Sequence, residues 1–208
     1  MIVTVANFKG GVAKTTTAIH LAAYLHGKAP TVLLDGDPNR SAMHAWNRRK
    51  TLPFEVADIR ETARKSREYE HLVLDTEARP GEDDFKALAQ NCDMLVIPTT
   101  PGALDTHALV QALGELNNIP GVKYRILLAM VPPQGSGDDA RELRTELTGA
   151  GVAVFAAEIP QLKAFRRAAS QGVVVNAVTD DSAARGWKAY EAVAIEMVAA
   201  LEGKEVPA

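Results

Sequence analysis

The chain has a single cysteine, Cys92, among its 208 residues. One thiol cannot close an intramolecular disulfide, and it cannot build a thiolate metal site within one chain. No apolar run approaches the ~20 residues that a membrane-spanning helix needs, and the N-terminus enters an apolar segment without a basic leader. These absences argue against a disulfide-stapled secreted domain and a transmembrane protein, and they predict a cytoplasmic chain.

Charge of neither sign dominates, since 23 Lys and Arg stand against 26 Asp and Glu. A net charge of −3 does not mark the whole chain as a nucleic-acid binder. A local basic patch could still bind nucleic acid, because binding depends on where the charges lie on the surface and not on the net charge. The five histidines, at positions 20, 26, 44, 71 and 107, show no metal-ligand spacing. The length suits a single domain over residues 1–208.

Short apolar runs alternate with helical patterns along the chain. Nearly continuous apolar runs of strand length are typical of parallel strands covered on both faces. They span residues 2–6, 31–34, 71–74, 94–97 and 124–131, with a weaker sixth at 152–155. Helices are predicted at residues 15–27, 84–90, 105–117, 138–147, 162–170 and 182–201. This alternation implies right-handed crossovers, so the predicted fold class is α/β, a doubly wound mostly parallel sheet flanked by helices.

The loop between the first strand and the first helix has the composition of a phosphate-binding loop. It reads Lys9-Gly10-Gly11-Val12-Ala13-Lys14-Thr15-Thr16. Glycine lets the backbone turn its N–H groups toward phosphate oxygens, and the following helix adds the positive end of its dipole. In this context we expect Lys14 to reach the β- and γ-phosphates and the Thr15 hydroxyl to bind Mg²⁺.

The loop departs from the ordinary phosphate-loop pattern, because Phe8 and Ala13 stand where that pattern has glycine. It resembles the deviant Walker A motif of the ParA/MinD family of ATPases, KGGxGKTT, with Ala13 replacing the third glycine. The resemblance implies a P-loop NTPase fold that binds ATP and ADP with Mg²⁺ and hydrolyses ATP slowly. It also implies that Lys9 reaches across a nucleotide-sandwich homodimer, as an arginine finger does. The Ala13 methyl group is expected to narrow the loop or weaken nucleotide affinity.

Acidic residues follow two of the apolar runs. Asp35 and Asp37 resemble the family's DxDP motif, and Asp75 resembles a Walker B aspartate. The carboxyl ends of parallel strands form the ligand-binding edge of an α/β sheet, so these aspartates should lie beside the phosphate loop. By resemblance, Asp37 positions the attacking water, Asp35 supports the magnesium shell, and Asp75 holds Mg²⁺ through a water. Many relatives have DTPP after Walker B, whereas this chain continues with Thr76 and Glu77.

Two later segments each leave two interpretations open. Met130, Pro132 and Pro133 lie at the end of the fifth run or just after it, where relatives hold the adenine base, but a plain turn explains the prolines equally well. The second segment resembles a helix that carries basic residues for non-specific DNA binding in DNA-partitioning relatives. Its basic residues are Lys163, Arg166 and Arg167. A solvated helix face accounts for them as well. Asp105, earlier in the chain, is expected to cap the helix at 105–117.

The resemblance extends over residues 1–172 and implies a small ParA-type switch. In such a switch, ATP promotes a homodimer that binds nucleoid DNA non-specifically, and a ParB-like or other adaptor protein on the cargo stimulates hydrolysis. The cargo could be a plasmid, a chromosome region or a protein compartment, and the sequence does not decide among them.

Two other functions are possible on the same scaffold. A MinD-like membrane switch needs a basic amphipathic C-terminal helix, whereas residues 196–206 carry three glutamates and one lysine. The sequence therefore predicts no stable membrane association. A metabolic ATP-dependent enzyme needs a dedicated substrate pocket, and no motif in the sequence indicates one.

Overall fold

The computed structural model describes residues 1–77, 80–102, 106–133 and 139–204, without the side chains of residues 45, 106 and 107. Its strands all run parallel in one sheet, in the order β3-β2-β4-β1-β5-β6. They are β1 (Ile2–Val5), β2 (Thr31–Gly36), β3 (Glu55–Asp58), β4 (His71–Thr76), β5 (Met94–Thr99) and β6 (Tyr124–Leu128). The predicted α/β fold class is confirmed.

Helices connect the strands, and the predicted ones are present with small differences at their ends. They are α1 (Lys14–His26), α2 (Thr62–Lys65), α3 (Glu82–Gln90), α4 (Thr106–Leu116), α5 (Asp139–Gly149), α6 (Lys163–Gln171) and α7 (Ala183–Leu201). The short α2 was not predicted, nor was a π-helical turn, Ser41–Trp46, that continues into a 3-10 turn, Asn47–Arg49. The predicted cap Asp105 lies outside the described residues. None of the described helices is long and apolar enough to cross a membrane.

Both faces of the sheet are covered, which explains the nearly continuous apolar strands. Leu33 and Val73 belong to a core shared with residues of α1, α6 and α7. On the opposite face, Leu95 and Ile97 pack with residues of α3, α4 and α5. Successive strand residues point to opposite sides, so a strand buried on both sides needs apolar residues at every position.

The sixth strand was predicted at the wrong place. It is β3, at the edge of the sheet, where only Val56 and Ala57 are buried between Glu55 and an ion-paired Asp58. Charged residues at the ends are typical of an edge strand. Here they leave no apolar run long enough to predict β3 from the sequence. Residues 152–155 contribute only an isolated bridge, Ile126 to Val154. The ladder stops because the next backbone amides, at positions 156 and 157, donate to the Glu196 carboxylate of α7, at 2.7 Å each.

Candidate functional site

Three neighbouring strands bring the phosphate loop and the three aspartates to one edge of the sheet. β4 lies between β1 and β2, and Asp75 is paired in register with Asp35 on one side and with Val5 on the other. The phosphate loop begins at Lys9, shortly after β1 ends at Val5, and Asp37 follows β2. Ligands bind at the carboxyl edge of such sheets, so these residues form the candidate site.

The helix that follows the loop offers its N-terminus to an anion. α1 begins at Lys14 with no acidic residue in its first turn and no side-chain cap, since the N-cap residue is Ala13. The first N–H groups of a helix have no partner within the helix and carry the positive end of its dipole. A phosphate group can satisfy both features, as in other phosphate loops.

Ala13 adopts a backbone conformation that favours glycine. Its φ of 67° and ψ of 27° lie in the left-handed region, which costs a residue with a Cβ about 1 to 2 kcal/mol. This strain gives a physical reason for the glycine in the family motif at this position. Whether the methyl group weakens nucleotide affinity remains a prediction.

Lys14 is held inside the loop. Its side chain is 7% exposed, and its Nζ donates a 2.7 Å hydrogen bond to the Lys9 carbonyl. Burial lowers the pKa of Lys14, and the nearby charges of Asp75 and Asp37 partly offset this effect. The ammonium group therefore lies between the loop backbone and the aspartates. Burial destabilises its positive charge, and the negative charge of bound phosphates would stabilise it.

Asp75 is the most unusual group of the site. Its carboxylate is fully buried, and neither oxygen accepts a well-formed hydrogen bond from the part of the chain that the structure describes. Burial raises its pKa to about 7, Asp35 and Asp37 add to the rise, and Thr15 and Lys14 partly offset it. An unpartnered buried carboxylate beside a threonine hydroxyl fits Mg²⁺, a hard cation that takes oxygen ligands.

Protein side chains alone would not complete a metal site here. Among the described residues, no group of three or more His, Cys, Asp or Glu is placed to hold an ion. Mg²⁺ commonly binds through one or two protein groups, with substrate phosphates and waters as the other ligands. Asp75 and Thr15 are therefore suited to bind Mg²⁺ together with a nucleotide, whose phosphates would supply further ligands.

Asp35 and Asp37 shape the turn after β2. Asp35 accepts hydrogen bonds from the backbone N–H of Asp37, at 3.1 Å, and of Met43, at 2.8 Å. Asp37 accepts from the Asn39 N–H, at 2.8 Å, and the Ser41 hydroxyl, at 3.1 Å. Burial raises the pKa of Asp35, and its backbone partners oppose the rise. Asp35 thus organises the segment that carries Asp37, and its part in the magnesium shell remains a prediction.

A cavity of about 540 Å³ adjoins the phosphate loop. Ala13 and Thr16 line it on one side, and Met130 and Pro133 line it on another. Its remaining lining residues are Ile159, Pro160, Gln161, Leu162, Lys163, Phe165, Arg166, Ala169 and Tyr190. Pro132 lies between Val131 and Pro133 in the loop at this cavity. The volume is in the range of small-ligand pockets, so the cavity can take a nucleoside whose phosphates lie in the loop.

Two backbone hydrogen bonds build the cavity wall from distant segments. The Val131 N–H donates to the Ile159 carbonyl at 2.9 Å, and the Gln161 N–H donates to the Val131 carbonyl at 2.8 Å. The sequence interpretation included Met130 and Pro133 but missed Gln161 and Phe165. No local pattern marks them, because this pairing joins residues about 30 positions apart.

The basic residues of α6 do not all share one environment. Lys163 and Arg166 border the nucleoside-sized cavity, whereas Arg167 forms a 2.6 Å ion pair with Asp180. All three side chains are exposed. A substitution at Arg166 is therefore expected to affect nucleotide affinity as well as any binding of DNA.

A buried histidine fixes the helix behind the loop. The Nδ1 of His20 is 2.6 Å from the Thr16 carbonyl, and its Nε2 accepts a 3.1 Å hydrogen bond from the Val175 N–H. Burial lowers the pKa of His20 to about 4, so the ring is neutral and its Nδ1–H donates to Thr16. The ring stacks on Tyr190 of α7, with centroids 4.6 Å apart. Through these contacts α7 and the Val175 turn hold α1 in place.

Asp75→Asn is expected to stabilise the protein without nucleotide. The native state keeps the Asp75 proton up to about pH 7, whereas an unfolded chain releases it near 3.8. Wild-type stability should therefore lose the Asp75 contribution as the pH rises from about 4 to about 7, and asparagine removes that loss. We expect a gain of about 2 to 4 kcal/mol at about pH 8 and a smaller gain, about 1 kcal/mol, at about pH 5. Denaturant unfolding at both pH values measures it.

The exposed Asp181 provides the control for this comparison, since Asp181→Asn should change stability little at either pH. A gain for Asp75→Asn that is equal at both pH values would show that the buried charge is not its cause. Added MgATP should stabilise the wild type far more than Asp75→Asn.

Comparison with known proteins agrees with this geometry. Residues 3–175 match the family model of the CobQ/CobB/MinD/ParA nucleotide binding domain. The maintenance of carboxysome distribution protein A of Gloeobacter kilaueensis is 35% identical over 203 residues, covering 94% of this chain and 93% of that protein. Protein ParA of Rhizobium radiobacter is 26% identical over 179 residues, covering 79% of this chain and 80% of that protein.

The fold comparison gives the same result. The structure of the MinD cell division protein of Aquifex aeolicus superposes with a TM-score of 0.72 at 13% identity, covering 99% of this chain and 98% of that one. The family model covers more than half of the chain. The chain therefore belongs to the CobQ/CobB/MinD/ParA family of nucleotide-binding domains.

Proposed function

We propose that this chain is an ATP-dependent switch of the ParA type. MgATP drives the formation of a homodimer, the dimer binds DNA without sequence preference, and an adaptor protein on the cargo stimulates slow hydrolysis to ADP and phosphate. Hydrolysis returns the chain to a monomer that leaves the DNA. Repeated cycles over the nucleoid position the cargo.

One observation carries this proposal: a loop with two lysines lies beside the buried carboxylate of Asp75, which has no hydrogen-bond partner among the described residues. In this proposal Lys14 neutralises phosphate charge, and Thr15 and Asp75 hold Mg²⁺. The hydrogen bond from Lys14 to the Lys9 carbonyl and the burial of Asp75 support these roles. Mg²⁺, when bound, neutralises charge on the β- and γ-phosphates. Asp37 stands at the edge of this site, half-buried, and is the group that would orient the attacking water.

The names of the relatives support a positioning role. The relative at 35% identity is named for carboxysome distribution, and a second relative is named ParA. The higher identity and the fuller coverage of the first favour a protein compartment over a plasmid as the cargo. The adaptor would then be a protein on that compartment, in the place that a ParB-like protein has on a plasmid.

Lys9→Ala is expected to separate nucleotide binding from turnover. The Lys9 backbone belongs to its own loop, since its N–H donates to the Asn7 Oδ1 at 3.1 Å and its carbonyl accepts from Lys14. The substitution keeps those contacts, so ATP affinity should change by less than about threefold. Loss of a charge that acts in trans should abolish dimerisation and lower the hydrolysis rate at least about 100-fold.

Isothermal titration and light scattering with ATP measure the two effects. Lys28→Ala, at the exposed C-terminal side of α1, is the matched control and should behave as the wild type. Dimerisation and turnover that survive in Lys9→Ala would show that its side chain has no role across the interface.

Fluorescence anisotropy of a labelled duplex tests the DNA step. The wild type should bind unrelated sequences alike with ATP and far more weakly with ADP. Each phosphate contact releases condensed counterions, so the log–log dependence of affinity on salt should have a slope of about −0.9 per phosphate. A protein that ignores DNA in both nucleotide states would remove DNA from the proposed cycle.

A further inference from the structure

Three consecutive cations form an exposed turn away from the residues assigned above. Arg48, Arg49 and Lys50 follow the π-helical turn, and all three side chains are exposed. None of them forms an ion pair with a described residue, whereas Arg60 and Arg64 are each bound to an acidic side chain. We call residues 48–50 the basic turn. Cations without a counter-ion concentrate positive potential at this point of the surface.

The basic turn is fixed against the C-terminal end of α6. The Thr51 Oγ1 donates a 2.5 Å hydrogen bond to the Gly172 carbonyl, across 121 positions of sequence. Gly172 has a φ of 73°, and a Cβ at this position would lie 2.5 Å from the Trp46 carbonyl oxygen. Only glycine allows this approach. The Trp46 backbone before the basic turn and the Thr51 side chain after it therefore both contact Gly172, the C-cap residue of α6.

This contact brings two exposed basic segments close together in the fold. Arg166 and Arg167 lie five or six positions before Gly172 on the same helix, which is about 8 to 9 Å along its axis. Both are exposed, and Arg166 forms no ion pair with a described residue. A surface of this length spans several phosphates of a duplex, which carries one charge per ~1.7 Å of its axis.

The basic turn is also coupled to the nucleotide site. The π-helical turn that leads into it starts beside Asp37, whose carboxylate accepts from Ser41, and ends at the buried Trp46. The indole of Trp46 meets the edge of His20, with centroids 5.7 Å apart. His20 in turn donates to the Thr16 carbonyl in the phosphate loop. A shift of the phosphate loop would thus reach the basic turn through His20 and Trp46, and a shift of Asp37 would reach it through Ser41.

We propose that the basic turn and the exposed side of α6 together form the surface that binds duplex DNA. The inference rests on the proposed function and names the residues of its DNA step. A polyanion fits this surface better than a lipid bilayer does, because residues 48–51 are polar and the neighbouring Trp46 and Phe54 are buried in the core. Membrane-surface segments need an exposed apolar face besides their charge.

The test compares two double variants that lose the same charge. Arg48→Ala with Arg49→Ala removes the arginines of the basic turn. The control, Arg67→Ala with Lys123→Ala, removes two exposed cations elsewhere; Arg67 lies in a segment whose Ile59 and Tyr69 pack on the opposite face of the sheet. Duplex binding is measured by anisotropy with ATP across a salt series, and thermal unfolding and ATP titration check that both variants fold and bind nucleotide.

We expect the basic-turn variant to bind duplex DNA at least about tenfold more weakly, with a salt slope smaller by about 3 to 4 for the dimer, because four arginines each contribute about 0.9. The control variant should keep most of the wild-type slope. Equal effects of the two variants, with normal wild-type binding, would overturn the inference and leave the proposed function standing. A wild type that dimerises with ATP yet ignores duplex DNA, or binds only vesicles rich in phosphatidylglycerol, would overturn both.

Discussion

Lys14→Gln is expected to lower the affinity for MgATP at least about 100-fold, because charged hydrogen bonds to two phosphates contribute about 1.5 to 3 kcal/mol each. Glutamine can still donate to the Lys9 carbonyl, so the loop should keep its shape. It cannot supply the positive charge that stands between the phosphates and the carboxylates of Asp75 and Asp37. Isothermal titration with MgATP measures the loss.

Lys28→Gln is the control, since Lys28 is exposed just beyond the other end of α1. It removes the same charge by the same substitution and should leave affinity unchanged. Full affinity in Lys14→Gln would mean that ATP binds elsewhere, and it would remove the physical basis for assigning this loop to phosphate.

Asp37→Ala is expected to bind MgATP with nearly normal affinity, to hydrolyse it at least about 100-fold more slowly, and so to accumulate as a dimer. Orienting a water is needed for turnover but not for binding. Phosphate release and light scattering with ATP measure the two quantities over time. The dimer of the variant should persist after that of the wild type has decayed.

The geometry also gives Asp37 a structural role, because it accepts hydrogen bonds from Asn39 and Ser41. Two companion variants separate the roles. Asp37→Asn keeps an oxygen that can accept the hydrogen bond from Asn39, but it loses the negative charge. Its hydrolysis rate should therefore be as low as that of Asp37→Ala. Ser41→Ala removes one partner and keeps the carboxylate, so it should retain turnover within about threefold. Loss of binding and turnover together in both Asp37 variants would make the residue structural.

The strands and the loop between β1 and α1 were predictable because their signals are local. A two-sided sheet needs runs such as residues 71–74, and a loop that binds phosphate needs glycine and lysine at short fixed spacings. The same reasoning missed β3, whose acidic ends give no apolar run. It predicted that Asp35 and Asp75 lie at one edge of the sheet. It did not predict that they are paired in register or that Asp75 is completely buried.

Features that depend on distant contacts could not be predicted. The cavity wall depends on backbone bonds between Val131 and the segment around Ile159. The basic turn lies near α6 because Gly172 approaches Trp46, and no spacing in the sequence indicates this contact. The left-handed conformation of Ala13 is likewise a backbone property, although the departure from the family's glycine marked the position correctly as unusual.

Sedimentation velocity of the wild type with MgATP, with MgADP and without nucleotide tests the central claim most directly. The switch proposed here predicts a monomer of 22.3 kDa without nucleotide and with ADP, and a species of twice that mass with ATP. In the same experiment Lys14→Gln should remain a monomer throughout, and Asp37→Ala should show the most persistent dimer. A mass that is the same in all three nucleotide conditions, for a protein that binds ATP, would contradict the account.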